Sequence, residues 1–572
     1  MEYSSTLPLF QAQNQNTDSL NEAIQLMSES GVEDRGAIYT RKEVVDFLLD
    51  LIEYVQNKPL YKFGLLEPSF GEGDFLIPAI ERLIKSYKMH HEAGKYTLLK
   101  DAVRGVELNK VSFERAKKKI LNLLRNDFDE EQSRDIVDSW LICGDYLLQS
   151  FNLKFDFVVG NPPYIRQETI PEVLLKEYKK RYTTIYDRAD IYIPFIEKSL
   201  LHLSRKGTLG FICSDRWMKN RYGSSLRKMI ADRFHLKIYV DMVNTPAFHT
   251  EVDAYPAITV IVNGKGSKTK IYHRPEIDSS KLKLLAKTLL SDEEEGGDDV
   301  IRSMANVASG SQPWLVQSAE YLSLIRRLEE GFPDLEKSGC RVGIGVATGL
   351  DKVFINSYDE MDVEADRKLA LVTTKDIRNE AIEWHGLGVI NTFADNGGLV
   401  DLENYPKLKK YLESRKELIL KRHIARRSPE KWYRTIDRIY PHLAGIPKLL
   451  IPDIKGTLHI IYESGKFYPH HNLYYILSHE WNLKVLRTVL LSGIAQMFVS
   501  AYSTRMRGDY LRYQAQHLRR IRLPKWSEIS SDSRNRLIVA AENGNIDRCE
   551  DLIFGLYGLS DSEISFVKKF KS

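Results

Sequence analysis

Short apolar runs separated by helical patterns constrain the first half of this chain more tightly than any other feature. Gly64–Glu67, Ala102–Val106, Phe155–Gly160, Thr208–Cys213, Lys237–Val243 and Ala257–Val262 each read as a buried strand, with helix-like stretches between the first few. Such alternation predicts an α/β fold, a Rossmann-like, doubly wound and mostly parallel sheet whose ligands bind at the carboxyl ends of its strands. Ahead of the first strand, Val44, Leu48, Leu51 and Val55 fall at helical spacing within 41–56, with Thr40 as the expected N-cap. A chain of 572 residues exceeds one hydrophobic core. Six carboxylates and two glycines between Asp292 and Asp299 cannot bury a core and predict a linker. The expected division is a leader over 1–34, a first domain over 35–285, an acidic linker over 286–310, a second, α+β domain over 311–530 and a helical tail over 531–572. Runs such as Lys448–Ile454 and Leu458–Tyr462 read as strands of the second domain.

The first chemical cluster is Leu65-Leu66-Glu67-Pro68-Ser69-Phe70-Gly71-Glu72-Gly73-Asp74, a strand ending in an acid and turning through Gly-x-Gly into a helix. Gly71 and Gly73 let backbone approach a ligand, and the Glu67 carboxylate can accept from an amine or hydroxyl. Alone, such a turn is equally a plain tight turn. Two further strand ends carry acids. Glu107 lies where a ribose diol would sit, and Cys143-Gly144-Asp145-Tyr146 offers a carboxylate to an adenine amino group. The glycine turn is followed by Glu72 and Asp74, not by the Lys-Ser/Thr of a phosphate-binding loop, so an amino-acid-bearing nucleoside fits better than a pyrophosphate.

The second cluster is an apolar strand running into Asn161-Pro162-Pro163-Tyr164. Two prolines stiffen the turn and remove competing N–H groups. An Asn161 side-chain oxygen and a Pro162 carbonyl that both accept from a substrate NH2 would localise the nitrogen lone pair for attack on a sulfonium methyl, through positioning and preorganisation. The Tyr164 ring offers a stacking plane worth about 1–3 kcal/mol to an unstacked base. A rigid strand-to-loop turn without chemistry is the bland alternative.

No stretch reaches the roughly 18 apolar residues of a spanning helix, and the polar N-terminus lacks a signal core, so the chain reads as cytosolic with no membrane contact. Cys143, Cys213, Cys340 and Cys549 form no CxxC pair, which argues against disulfides and against a metal site. Net charge is only +4, so any nucleic-acid surface must be local. From Lys421 to Tyr440 seven Lys or Arg face two acids, and from Thr504 to Leu523 six Arg face one, interleaved with Trp432, Tyr433, Tyr510 and Tyr513. Each run alone is also compatible with a solvated helix face.

The order of Thr40–Leu51, Glu67-Pro-Ser-Phe-Gly-Glu-Gly, Glu107, Asp145, Asn161-Pro-Pro-Tyr, Asp190-Ile-Tyr-Ile-Pro-Phe and Gly207-Thr-Leu-Gly-Phe-Ile resembles the gamma-class adenine-N6 DNA methyltransferases of restriction-modification systems. The similarity is strong over about 35–265 and looser over 340–526. It implies S-adenosylmethionine as cofactor, held by Thr40, Glu67, Gly71, Gly73, Glu107, Asp145 and Tyr146. Asn161 and Pro162 would hold the target amine, and Tyr164 and Phe248 would stack on the flipped adenine; a core role for Phe248 is the other reading. Gly343-Ile-Gly-Val-Ala-Thr-Gly-Leu350 resembles the opening of the family's recognition domain, and Arg507-Gly-Asp-Tyr-Leu-Arg-Tyr513 with Ile521-Arg-Leu-Pro524 its closing segment. The implied partner is double-stranded DNA of a specific sequence, contacted by Arg426, Arg427, Arg434, Arg505, Arg507 and Arg512. About 35 residues before the first shared helix are too few for a nuclease, so a methylation-only enzyme is expected, with any cleavage left to a separate restriction endonuclease, and a monomer suits an asymmetric site. A methylase of RNA or of protein glutamine, a cytosine-N4 enzyme and a catalytically silent DNA-binding subunit are the alternatives.

Overall fold

A computed structural model of the chain describes residues 7–29, 38–90, 95–187, 189–250, 256–291, 301–305, 307–308, 310–316, 319–378, 380–453, 459–503 and 513–570. It divides into two compact units, Met1–Ser318 and Ala319–Ser572.

The first unit is built on one nine-stranded sheet: β1 (Leu65–Glu67), β2 (Val103–Glu107), β3 (Leu141–Cys143), β4 (Phe155–Gly160), β5 (Leu203–Ser214), β6 (His235–Asp241), β7 (Pro256–Val262), β8 (Lys268–His273) and β9 (Arg302–Ala305). Their spatial order is β3-β2-β1-β4-β5-β7-β6-β8-β9. The run from β3 to β5 is parallel, β7 pairs antiparallel with both β5 and β6, and β9 closes the edge antiparallel to β8. Helices α1 (Leu7–Glu29), α2 (Lys42–Leu51), α3 (Leu76–His90), α4 (Lys110–Leu124), α5 (Glu130–Trp140), α6 (Glu172–Arg181) and α7 (Tyr192–Leu201) belong to this unit. The α/β reading therefore holds, with a mixed sheet. Because β2 and β3 extend to one side of β1 and β4 and β5 to the other, the strand order reverses between β1 and β4 and opens a crevice at their carboxyl ends.

Several boundaries differ from the sequence reading. β3 went unread because three residues follow α5 with no turn between them, and β8 and β9 because they are short and half polar. The acidic segment Asp292–Asp299 lies outside the described residues, but the expected linker does not end the first unit. β9 completes its sheet, and Trp314 packs edge-on against Trp217 at 5.5 Å while its amide donates to the Met218 carbonyl at 2.8 Å. Nor is 1–34 merely a leader: α1 buries Ala23 and Met27, four residues apart on one helix face, and packs on α6. Thr40 is not the helix cap. Arg41 holds that position without a side-chain bond, and Thr40 forms a bridge with Phe248.

The second unit contains two four-stranded sheets and helices Leu483–Leu491 and Gly493–Tyr502, followed by three helices, Ser531–Glu542, Ile546–Leu556 and Asp561–Lys568. Lys448–Pro452 and Ile461–Glu463 pair antiparallel at the edge of one sheet. Among the described residues no single helix is long and apolar enough to cross a membrane. Its core encloses an ion pair: Lys448 Nζ donates to Glu463 Oε2, with side chains 0% and 1% exposed, and also to the Phe467 carbonyl at 3.1 Å. A buried charge without its partner is costly. Glu463→Leu alone is expected to cost about 3–5 kcal/mol in urea unfolding, whereas Lys448→Met with Glu463→Leu recovers most of the loss. Equal losses in the single and double variants would show that charge burial is not the cause.

Candidate active site

At the crevice between β1 and β4 lies a concave cleft of about 110 Å³ in its enclosed part. Five carboxylates (Glu67, Glu72, Asp74, Glu107 and Asp145) line it, and among its described lining residues there is no Lys, Arg or His. Such a wall repels phosphates and favours a cationic ligand.

Each acid is held differently. Glu107, ending β2, accepts from the Gly71 amide at 2.8 Å and from the Asn109 amide at 2.7 Å. Asp145 accepts from the Leu147 and Leu148 amides at 2.7 and 3.3 Å and from the Tyr178 hydroxyl. Asp74 accepts from the Thr40 amide at 3.1 Å, and Glu72 pairs with Arg115 at 2.7 Å. Glu67 is 1% exposed, and its Oε2 is buried with no partner. Burial, reinforced by Asp74 and Glu107, pushes its carboxyl well above the usual range, and burial also raises Asp74 and Asp145.

The glycine turn forms the floor. Gly71 has φ +54°, and a Cβ there would find no atom within 4 Å, so its backbone faces open cleft. A left-handed glycine beside an unpartnered carboxylate is a cradle that a ligand's amine and chain can occupy.

Asn161 follows β4 directly. Its Nδ2 donates to the Ile38 carbonyl at 3.0 Å and to Thr40 Oγ1 at 3.3 Å. Its Oδ1 is buried without a partner, and the residue lines the cleft. A carbonyl can accept only from the NH2 end, so the segment before α2 dictates which way this amide points.

Thr40, Glu67, Gly71, Glu107, Asp145, Tyr146 and Asn161 thus converge on one cleft. Tyr146 is buried, with its hydroxyl 2.9 Å from Ser199 Oγ. Gly73 shapes the turn at φ +98° without lining the cleft. Pro162 and Tyr164 are not among the residues lining the cleft, where Pro163 and Ile165 stand instead; the Tyr164 ring is 6.2 Å from Tyr192, and its hydroxyl is buried without a partner. Phe248 is 8% exposed and its ring belongs to the apolar core, although its backbone meets Thr40. Arg426, Arg427 and Arg434 are exposed, and among the described residues none has an acidic partner. Arg505, Arg507 and Arg512 lie outside the described residues. Within the same basic runs several members are structural: Arg422 donates to the Thr348 and Trp432 carbonyls, Arg519 pairs with Glu336, and Tyr513 is buried.

Sequence reasoning missed Met27, Ile38 and Tyr178 as site residues. Tyr178 comes from α6, and Ser28 of α1 accepts from Asn109 Nδ2 at 2.6 Å. Only the Asn109-x-x-Ser112 cap after Glu107 carried a local signal, with Asn109 Oδ1 accepting from the Ser112 amide at 2.8 Å.

A doubly wound sheet with these strand-end acids, and an asparagine amide at the mouth of the same crevice, defines an S-adenosylmethionine-dependent methyltransferase. Residues 79–248 match the family described as Eco57I restriction-modification methylase, and residues 369–523 match the TaqI-like C-terminal specificity domain. The chain is 53% identical over 542 residues to the type II methyltransferase M.PaeR7I of Pseudomonas aeruginosa, covering 94% of each. It is 47% identical over 544 residues to M.XhoI of Xanthomonas vasicola, covering 94% of this chain and 99% of that one. Among solved structures, the type IIL restriction-modification enzyme MmeI in complex with DNA shares the fold, with a TM-score of 0.59 at 13% identity over 92% of this chain and 76% of that one. The chain belongs to the type II methyltransferases of restriction-modification systems.

Glu67 generates a prediction. Its ionised form is penalised in the ligand-free protein and is the form that pairs with a cation, so cofactor affinity should fall as pH drops through its raised pKa. Glu67→Gln should weaken cofactor binding about tenfold, ~1.4 kcal/mol, flatten that pH dependence and raise the melting temperature of the ligand-free protein at pH 8. Calorimetric titration and thermal melts check this; a Gln variant that keeps the wild-type pH profile would remove Glu67 from the binding role.

Proposed function

We propose that this protein methylates the exocyclic N6 of an adenine flipped out of a specific sequence in duplex DNA, modifying it for a restriction-modification system in the cytosol. The supporting observation is the fixed amide of Asn161, a residue that lines the acidic cleft and whose buried Oδ1 has no hydrogen-bond partner. S-adenosylmethionine, when bound, supplies an electrophilic methyl group on sulfonium. Glu67 would accept from its ammonium group, Glu107 from its ribose hydroxyls and Asp145 from its adenine amine, with Tyr146 lining the same cleft. Asn161 Oδ1 and the Pro162 carbonyl accept the two hydrogens of the target amine, drawing its nitrogen toward tetrahedral geometry and exposing the lone pair. Tyr164 stacks on the extruded base and offsets part of the unstacking cost. The proton leaves to solvent after transfer.

The adenine assignment rests on the order of the sequence motifs. Duplex DNA is favoured over RNA or protein by the specificity-domain match over 369–523 and by relatives named as type II methyltransferases. One chain carries both the cleft and the specificity-domain match, which supports methylation by a monomer, with cleavage assigned to a separate endonuclease.

Mass spectrometry of digested, methylated duplex should yield N6-methyladenine, and N4-methylcytosine as the only product would contradict the base assignment. Asn161→Ala should cut turnover at least about 10²–10³-fold while leaving cofactor and DNA affinity within a few fold. Arg426, Arg427 and Arg434 are assigned to phosphates, with Arg505, Arg507 and Arg512 as their counterparts on the second basic run. Replacing the first three with Ala should weaken DNA binding and reduce the salt slope by about 2–3, each neutralised phosphate contributing ~0.9. An unchanged slope in salt titrations would place the DNA elsewhere.

A further inference from the structure

A second cluster of coordinating side chains lies in the second unit, on residues that methyl transfer does not use. Asp351 opens the short helix Asp351–Phe354, and His470 and His471 occupy the turn between strands Tyr468–Pro469 and Leu473–Ser478. One donor atom from each, two imidazole nitrogens and a carboxylate oxygen, all lie within 4.8 Å of one another.

Backbone pairing enforces this meeting. The Val346 amide donates to the Pro469 carbonyl at 3.0 Å, and the His471 amide to the Val346 carbonyl at 3.1 Å. A Cβ on Gly345 would stand 2.2 Å from the His470 carbonyl oxygen, so only glycine permits this approach. Neighbouring residues of a strand point to opposite faces, but the turn breaks that alternation and brings the two imidazole rings to 4.0 Å between centroids.

The carboxylate is oriented from behind, with Oδ1 accepting from Thr348 Oγ1 at 2.6 Å while Oδ2 faces His470 Nε2 at 3.4 Å. Outer bonds of this kind aim first ligands at a metal. The largely buried His470 turns Nε2 toward this carboxylate, which makes Nε2 its coordinating atom, while its Nδ1 has no hydrogen-bond partner.

Two imidazoles and one carboxylate suit a borderline divalent ion such as zinc, held at about 2.0–2.2 Å from each donor. We propose that Asp351, His470 and His471 bind one divalent transition-metal ion of the zinc class, with the remaining position open to water on the exposed side of Asp351 and His471. The ion would clip the loop carrying Thr348 to the turn at His470. That loop also anchors the basic run, because Arg422 donates to the Thr348 carbonyl and the Asp437 amide to the Ala347 carbonyl.

The test uses the full chain prepared without a polyhistidine tag, stripped with chelator and titrated with zinc chloride alone. One equivalent should bind and raise the melting temperature. His471→Ala, at an exposed position, should weaken that binding at least tenfold and remove the thermal shift while its metal-free melt stays at wild type; Asp351→Ala should lose the zinc-dependent shift relative to its own metal-free melt. Cobalt in place of zinc should give the visible absorption of a four-coordinate site in the wild type only. Absence of stoichiometric binding, or binding that survives both substitutions and therefore resides elsewhere, for example at Cys143, would overturn the proposal.

Discussion

The hydrogen bond from Asn161 Nδ2 to the Ile38 carbonyl is the constraint on which the catalytic half of the molecule depends. An asparagine amide has two ends of similar shape and opposite hydrogen-bonding character, and only one lets it accept from an incoming amine. Ile38 and Thr40 occupy the donor end, so the acceptor end is free before any ligand arrives. That arrangement needs the segment ahead of α2 folded across the carboxyl end of β4. The bridge between Thr40 and Phe248 and the bond from the Thr40 amide to Asp74 hold it there. Phe248, buried in the core, therefore contributes to the site at least through its backbone.

The same crevice shows a second economy of function against stability. Asp74 and Glu107 act against the charge of Glu67, which also lacks any hydrogen-bond partner for one oxygen. A protein selected for stability alone would not leave such a group buried, because an unsatisfied polar atom costs on the order of 1–3 kcal/mol. The cost is understandable where a cationic ligand completes the site. Glu67 and Asn161, each at a strand end, thus leave one buried unpaired acceptor apiece among the residues of a single cleft.

Much of this was legible in sequence because parallel strands buried on both faces read as apolar runs, and because the acids and the Asn-Pro-Pro-Tyr turn sit at their ends. β1, β2 and β4 and the residues Glu67, Glu107, Asp145 and Asn161 follow from that pattern. What escaped detection depends on contacts distant in sequence. Tyr178 reaches Asp145 across 33 residues, and Ile38 meets Asn161 across 123. Asp351 and His470 are separated by 119, so no spacing rule couples them. Thr40 looked like a helix cap because a threonine precedes an amphipathic run; tertiary bonding to Asp74 and Phe248 outcompeted the cap. In the basic runs, charge count did not separate exposed Arg426 and Arg427 from Arg422, which is consumed by backbone carbonyls. Composition reports charge, and only packing reports whether it is free.

A crystal structure of the protein with a non-reactive cofactor analogue and a duplex carrying its target sequence tests the central claim most directly. The account predicts an extruded adenine with N6 within about 3.2 Å of Asn161 Oδ1, while Nδ2 still donates to the Ile38 carbonyl. An Asn161 amide rotated so that Nδ2 faces the base, or a target nucleotide bound away from the crevice between β1 and β4, would contradict it.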